Sequence, residues 1–141
     1  MKKISVFGLG YVGVVTAACF AKEGHQVIGI DISKDKVDLL NNGKSPIVEE
    51  QIGDLISSAV NSGKLKCYTD SLVAIEQTDI IFVCVGTPSA RNGSLNTSYI
   101  KRVCLEIGSK LSAIDKKPLI VVRSTLLPGS IEKVVIPSLE E

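Results

Sequence analysis

The sequence predicts a doubly wound α/β domain, a parallel sheet covered by helices on both faces. Three observations predict it. Short apolar runs alternate with segments of helical periodicity along the whole chain. The run within Asp79–Val85 is apolar without alternation, which is what burial of a strand on both faces produces. Gly8, Gly10 and Gly13 stand between the first apolar run and the first helical segment, where a chain must turn sharply from strand to helix. At 141 residues the chain is one domain, and with few aromatics and no Trp its core must be built from Val, Ile, Leu and Ala.

Ile4–Phe7 reads as a short buried strand, and Tyr11–Lys22 as a helix apolar nearly all round, suited to lie on a sheet. Gly24 ends it. Gln26–Asp31 is a second strand, and Ser33 is placed to cap a helix through Val37, Leu39 and Leu40 that Asn41-Asn42-Gly43 stops. Pro46 makes the next stretch extended, after which Ile52, Leu55, Ile56 and Ala59 recur at helical spacing as far as Gly63. Leu65–Thr69 is a third strand, Ser71–Gln77 a short helix, and Asp79–Val85 the fourth strand. The loop from Gly86 to Ser94 holds Pro88 and the turn pair Asn92-Gly93. Asn96 or Thr97 caps a helix through Ile100, Val103, Cys104 and Ile107. Leu119–Arg123 is a fifth buried strand, and Leu127-Pro128-Gly129 leads into a last short helix. The chain stops at Ser138–Glu141, just where another strand is expected, so the sequence reads as a fragment of a longer protein or a domain cut at its edge.

The strand, the Gly-x-Gly-x-x-Gly turn, the helix and an acid at the end of the second strand form the context that a dinucleotide requires, the Rossmann-type arrangement. Gly8 permits the tight turn, Gly10 keeps side-chain atoms away from a pyrophosphate, and Gly13 lets the helix approach the sheet. The first N–H groups of the helix lack partners within it, and its dipole favours an anion there. Asp31 follows Gly13 at close to the ~20-residue interval at which a carboxylate meets an adenosine ribose, and its charge favours NAD over NADP. Lys36 is the counterweight, an ammonium that reaches the adenosine end or lies on a solvated face. Thr87 and Thr125 each follow the end of a strand, where ligands of open parallel sheets bind, and Arg123 is either an anion partner or a strand-end charge.

Other classes are disfavoured. With 16 Lys+Arg against 15 Asp+Glu, no global field recruits nucleic acid or an anionic membrane. Cys19, Cys67, Cys84 and Cys104 are scattered, without a Cys-x-x-Cys pair and with His25 alone as a companion, so neither zinc nor a disulfide framework is expected and buried reduced thiols are. No run approaches membrane-spanning length, and glycines interrupt the apolar start before it could serve as a signal peptide. No residue has the surroundings of a nucleophile or general base.

Phe7-Gly8-Leu9-Gly10-Tyr11-Val12-Gly13, Val85-Gly86-Thr87-Pro88 and Ser124-Thr125 together resemble the amino-terminal domain of the UDP-glucose/GDP-mannose dehydrogenase family, the nucleotide-sugar 6-dehydrogenases. Gly43–Glu49, Gly86–Ser89 with Asn92-Gly93, and Val121–Gly129 are similar to its GDP-mannose branch, whereas UDP-glucose members usually carry Glu-Lys-Ser-Thr where Val122–Thr125 stand. Because Val122 stands in place of that glutamate, the resemblance does not carry over the water-handling acid of the UDP-glucose members to this position. The resemblance implies that Tyr11, Val12, Asp31, Lys36, Thr87 and Thr125 contact NAD. It further implies two successive oxidations at the sugar C6, GDP-mannose giving GDP-mannuronate for polysaccharide synthesis, in a cytoplasmic homo-oligomer. The nucleophilic cysteine, the central helix and the sugar-nucleotide domain would lie outside this chain, leaving it inactive alone. Two alternatives stand beside this one: a UDP-sugar 6-dehydrogenase acting on UDP-glucose or UDP-N-acetylmannosamine, and a non-catalytic module that senses NAD(H).

Overall fold

The computed structural model describes residues 1–141. Five parallel strands run β1 (Lys3–Phe7), β2 (Gln26–Ile30), β3 (Leu65–Tyr68), β4 (Ile80–Val83) and β5 (Leu119–Val122), in the spatial order β3-β2-β1-β4-β5. The register places Phe7 between Ile30 on β2 and Val83 on β4, so the three central strands end level with one another. The order reverses at β1: the chain leaves it for β2 and β3 on one side and returns to β4 and β5 on the other. That switch point opens a crevice at the carboxyl ends of the strands, the usual ligand position in such sheets.

Two apolar layers hold the helices. On one face α1 (Tyr11–Lys22), α2 (Lys34–Asn41) and α3 (Ile52–Asn61) bury Val14, Ala17, Leu40 and Ile56 against Val6, Val27 and Leu65. On the other, α4 (Ser71–Gln77) and α5 (Ser98–Leu111) bury Ile75, Ile100 and Ile107 against Phe7, Ile81 and Val83. A π-helical turn, Ile131–Val135, runs into α6 (Ile136–Glu140), which packs on α5. Small residues let α1 sit close: it carries Gly13, Ala17, Ala18 and Ala21 on its buried side.

Most predicted elements appear within a residue or two. Three expectations need correction. The fourth strand is shorter than Asp79–Val85: it spans Ile80–Val83, the Cys84 N–H makes a last bond to the Phe7 carbonyl at 2.7 Å, and the chain then turns over the crevice; Ile80 and Phe82 are only partly buried. The fifth strand is not a buried one: Leu119 is 61% exposed and its successors are half-buried, since β5 is the sheet edge and pairs with β4 alone. Arg123 lies just beyond it, although its N–H still donates to the Val83 carbonyl at 2.8 Å. Cys19, expected to be buried with the other thiols, is exposed on the outer side of α1. All four cysteines are free.

Candidate cofactor site

The turn from β1 to α1 is built as its glycines predict, each for a different reason. Gly8 has φ +93°, and a Cβ there would lie 2.7 Å from the Cys84 carbonyl oxygen. A Cβ on Gly13 would lie 1.7 Å from the Gly8 carbonyl oxygen, so the helix is seated directly on the turn. Gly10 is the opposite case: a Cβ there meets nothing within 4 Å and points into open space. It is also the N-cap of α1 and supplies no side-chain cap; the first bond of the helix runs from the Val14 N–H to the Gly10 carbonyl at 2.9 Å. The N–H groups of Tyr11, Val12 and Gly13 have no protein acceptor, and no acid occupies the first turn. Unpartnered donors, the positive end of a helix dipole and an empty space where a side chain would be are what a pyrophosphate needs.

Asp31 stands just past β2. Its Oδ2 accepts the Leu9 N–H and its Oδ1 the Ser33 N–H, both at 2.8 Å. The carboxylate therefore ties the glycine turn to the start of α2 and is held in one orientation. Each oxygen keeps a lone pair for a ribose hydroxyl. Ser33 caps α2 as expected, accepting from the Lys36 N–H.

Two adjoining cavities lie over the strand ends. One, about 460 Å³, is bounded by Asp31, Ile32, Lys36 and Thr69 with Tyr99 and Arg102 of α5. The other, about 590 Å³, is bounded by Gly10–Val12, Cys84–Thr87 and Val122–Thr125. They share Gly10 and Cys84–Gly86, so together they form one groove passing over the glycine turn. Volumes of this size suit a small-molecule ligand. Thr87 and Thr125, separated by 38 positions in the chain, meet here: the Thr87 hydroxyl donates to the Thr125 carbonyl at 2.7 Å, and the Ser124 hydroxyl donates to the Val85 carbonyl at 2.8 Å. The β4 and β5 loops are thereby locked to each other at the rim.

The structure thus brings Gly8, Gly10, Tyr11, Val12, Asp31, Lys36, Thr87 and Thr125 to one groove, with Gly13 buried against the turn. It adds what sequence reading missed. The Tyr11 hydroxyl donates to the Glu49 carboxylate, whose bond and charge hold the phenol above its ordinary pKa. Tyr99 and Arg102 wall the Asp31 side; an aromatic followed one turn later by a cation near a helix start was the available signal. Arg123 is neither a salt-bridge partner nor a loose charge: its guanidinium donates to the Thr16 hydroxyl of α1 at 3.0 Å. The Cys84 thiol, buried beside it, has its pKa raised by that burial, against the opposing pull of Arg123 and a bond from Thr16. His25 lies at the opposite end of the sheet, accepting from the Lys2 N–H. No group of three His, Cys, Asp or Glu is placed to hold a metal ion.

A 3-2-1-4-5 parallel sheet with a glycine turn at its switch point, free helix N–H groups and an oriented acid on the next strand defines a Rossmann-type dinucleotide-binding domain. The chain belongs to the UDP-glucose/GDP-mannose dehydrogenase family and is its NAD-binding domain, matched over residues 2–141. It is 52% identical over 139 residues to a GDP-mannose 6-dehydrogenase of Pseudomonas syringae, covering 99% of this chain and 32% of that protein. A UDP-glucose 6-dehydrogenase of Bacillus subtilis is 38% identical over 130 residues, covering 92% of this chain and 28% of that one. The crystal structure of a ternary complex of the GDP-mannose dehydrogenase from Pseudomonas aeruginosa superposes with a TM-score of 0.96 at 48% identity, over 99% of this chain and 32% of that one. The chain therefore spans about a third of the length of these relatives. Membership of an enzyme family sets the sensing-module reading aside.

Proposed function

We propose that the protein to which this chain belongs oxidises GDP-mannose at C6 to GDP-mannuronate, and that the chain's part is to hold NAD in the groove. The observation that carries the choice of sugar nucleotide is the identity gap: 52% to a GDP-mannose 6-dehydrogenase against 38% to a UDP-glucose 6-dehydrogenase. Val122-Arg123-Ser124-Thr125 supports it, standing where UDP-glucose members usually carry Glu-Lys-Ser-Thr.

In this reading the N–H groups of Tyr11 and Val12 receive the pyrophosphate over the space that Gly10 leaves free, while Gly8 and Gly13 make that space possible. Asp31 and Lys36 take the adenosine ribose. Thr87 and Thr125 face the nicotinamide half. The bound coenzyme supplies hydride acceptance, and the protein contributes orientation and a fixed field. No residue of this chain is assigned to covalent catalysis; the nucleophilic cysteine and the sugar-nucleotide site belong to the remaining two thirds found in the relatives. The four free cysteines suit a reducing compartment, and we place the enzyme in the cytoplasm as a homo-oligomer. No helix is long and apolar enough to cross a membrane.

Assaying the full-length protein with NAD and, separately, GDP-mannose, UDP-glucose and UDP-N-acetylmannosamine tests the proposal. GDP-mannose should give turnover with two NAD reduced per sugar. Turnover of a UDP-sugar alone overturns the substrate assignment.

A further inference from the structure

We propose that Arg123 sets the preference of this site between oxidised and reduced NAD, disfavouring the oxidised form through an uncompensated positive charge at the nicotinamide end of the groove. The inference rests on NAD lying in the groove with its nicotinamide on the Thr87 and Thr125 side.

Arg123 is fixed at both ends. Its backbone N–H continues the β5 ladder by donating to Val83, and its guanidinium donates to the Thr16 hydroxyl, which is 3% exposed on the second turn of α1. Arg123 is exposed overall, but this bond ties its guanidinium to α1 beside the crevice. It has no carboxylate within ion-pair distance; the ion pairs of the molecule involve Lys34, Lys110 and Lys116. The crevice between the glycine turn and the β5 loop contains no Asp or Glu at all. Of the nearby acids, Glu49 accepts the Tyr11 hydroxyl but does not line this crevice, and Asp31 lines the other cavity. Cys84 offers no compensation either, since burial keeps it a neutral thiol.

The ligand half expected here changes charge in use. The nicotinamide ring is a cation when oxidised and neutral when reduced, whereas the pyrophosphate carries the same charge in both forms. Attraction between Arg123 and the pyrophosphate thus strengthens both forms alike and cancels in their ratio. Repulsion from the ring acts on the oxidised form only. A unit charge several ångströms away in a partly open site shifts that ratio on the order of tenfold. The consequence is a bound coenzyme that takes up a hydride more readily than it would in water.

Dissociation constants of NAD+ and NADH measured by calorimetry on the full chain test this, with NADH fluorescence as a second readout free of Trp background. In Arg123→Gln the ratio Kd(NAD+)/Kd(NADH) should fall about tenfold, and in Arg123→Lys, which keeps the charge, it should stay near that of the unsubstituted chain. Arg123→Met gives the same neutralisation with the aliphatic stem retained, should the Gln variant fold poorly. Equal changes in both constants overturn the inference by assigning Arg123 to the pyrophosphate. An unchanged ratio with a lowered Tm overturns it by reducing Arg123 to a staple between β5 and α1. Failure of the unsubstituted chain to bind either form would overturn the placement of NAD itself, a different result from the other two.

Discussion

At the scale of single residues, the glycine turn separates two demands that a motif alone leaves merged. Gly8 and Gly13 are required by the protein's own packing, and Gly10 is not. Gly10→Val should therefore abolish NAD binding by calorimetry while leaving Tm within a few degrees of the parent, because its side chain enters the space reserved for phosphate. Gly13→Ala should instead damage the fold. Asp31 also has two roles. As the acceptor of the Leu9 and Ser33 N–H groups it shapes the site before any ligand arrives. Asp31→Ala should cost about 1–3 kcal/mol of stability, from two partly buried donors left without an acceptor, and should weaken NAD more than NADP. Equal losses for the two coenzymes, read by calorimetry, would remove Asp31 from the ribose.

At the scale of elements, the position of each loop over the crevice follows from where its strand ends. β4 stops at Val83, so Cys84 and Val85 turn across the groove, and the Thr87 to Thr125 bond joins that turn to the one after β5. The other sensitive element contact is the crossing of α5 and α6. A Cβ on Gly108 would lie 2.2 Å from the Leu139 carbonyl oxygen, against backbone that has no rotamer by which to escape. Gly108→Ala gains helix propensity in α5 and still should lose about 1–3 kcal/mol, since overpacking pushes α6 off. Thermal unfolding measures the loss, and limited proteolysis should show earlier cleavage after the Ile131–Val135 turn. β5 is the element whose burial the sequence misstates. Its run of Leu119, Ile120, Val121 and Val122 is as apolar as an interior strand, but apolar composition does not say whether a strand has one neighbour or two.

At the scale of the whole molecule, stability should fall on the alkaline side. Burial pushes the Cys67 thiol up to about 12 and the Cys104 thiol up to about 11. In the unfolded chain both lose their protons near pH ~8.5, so above that pH the unfolded state binds fewer protons than the folded one and stability declines. The decline should begin near pH ~8.5 and continue towards about pH 11 to 12. Urea unfolding across the range from neutral to alkaline pH checks it, and Cys104→Ser, which removes one of the three buried thiols, should flatten the slope.

Most of the architecture was legible in the order of residues, because each element has a local physical cause. Short apolar runs mark the strands, glycines are needed where no Cβ fits, and Ser33 caps the helix it precedes. The cofactor class was legible for the same reason: the turn, the free helix start and the acid all lie between Lys3 and Asp31. Tertiary structure alone decided what depends on segments distant in sequence. It brought Thr87 to the Thr125 carbonyl, Arg123 to Thr16 across 107 positions, and Tyr99 and Arg102 to the wall opposite Asp31. Hydrophobic period and turn chemistry report on neighbours a few residues away, whereas the charge and shape of the groove are set where the strand ends converge.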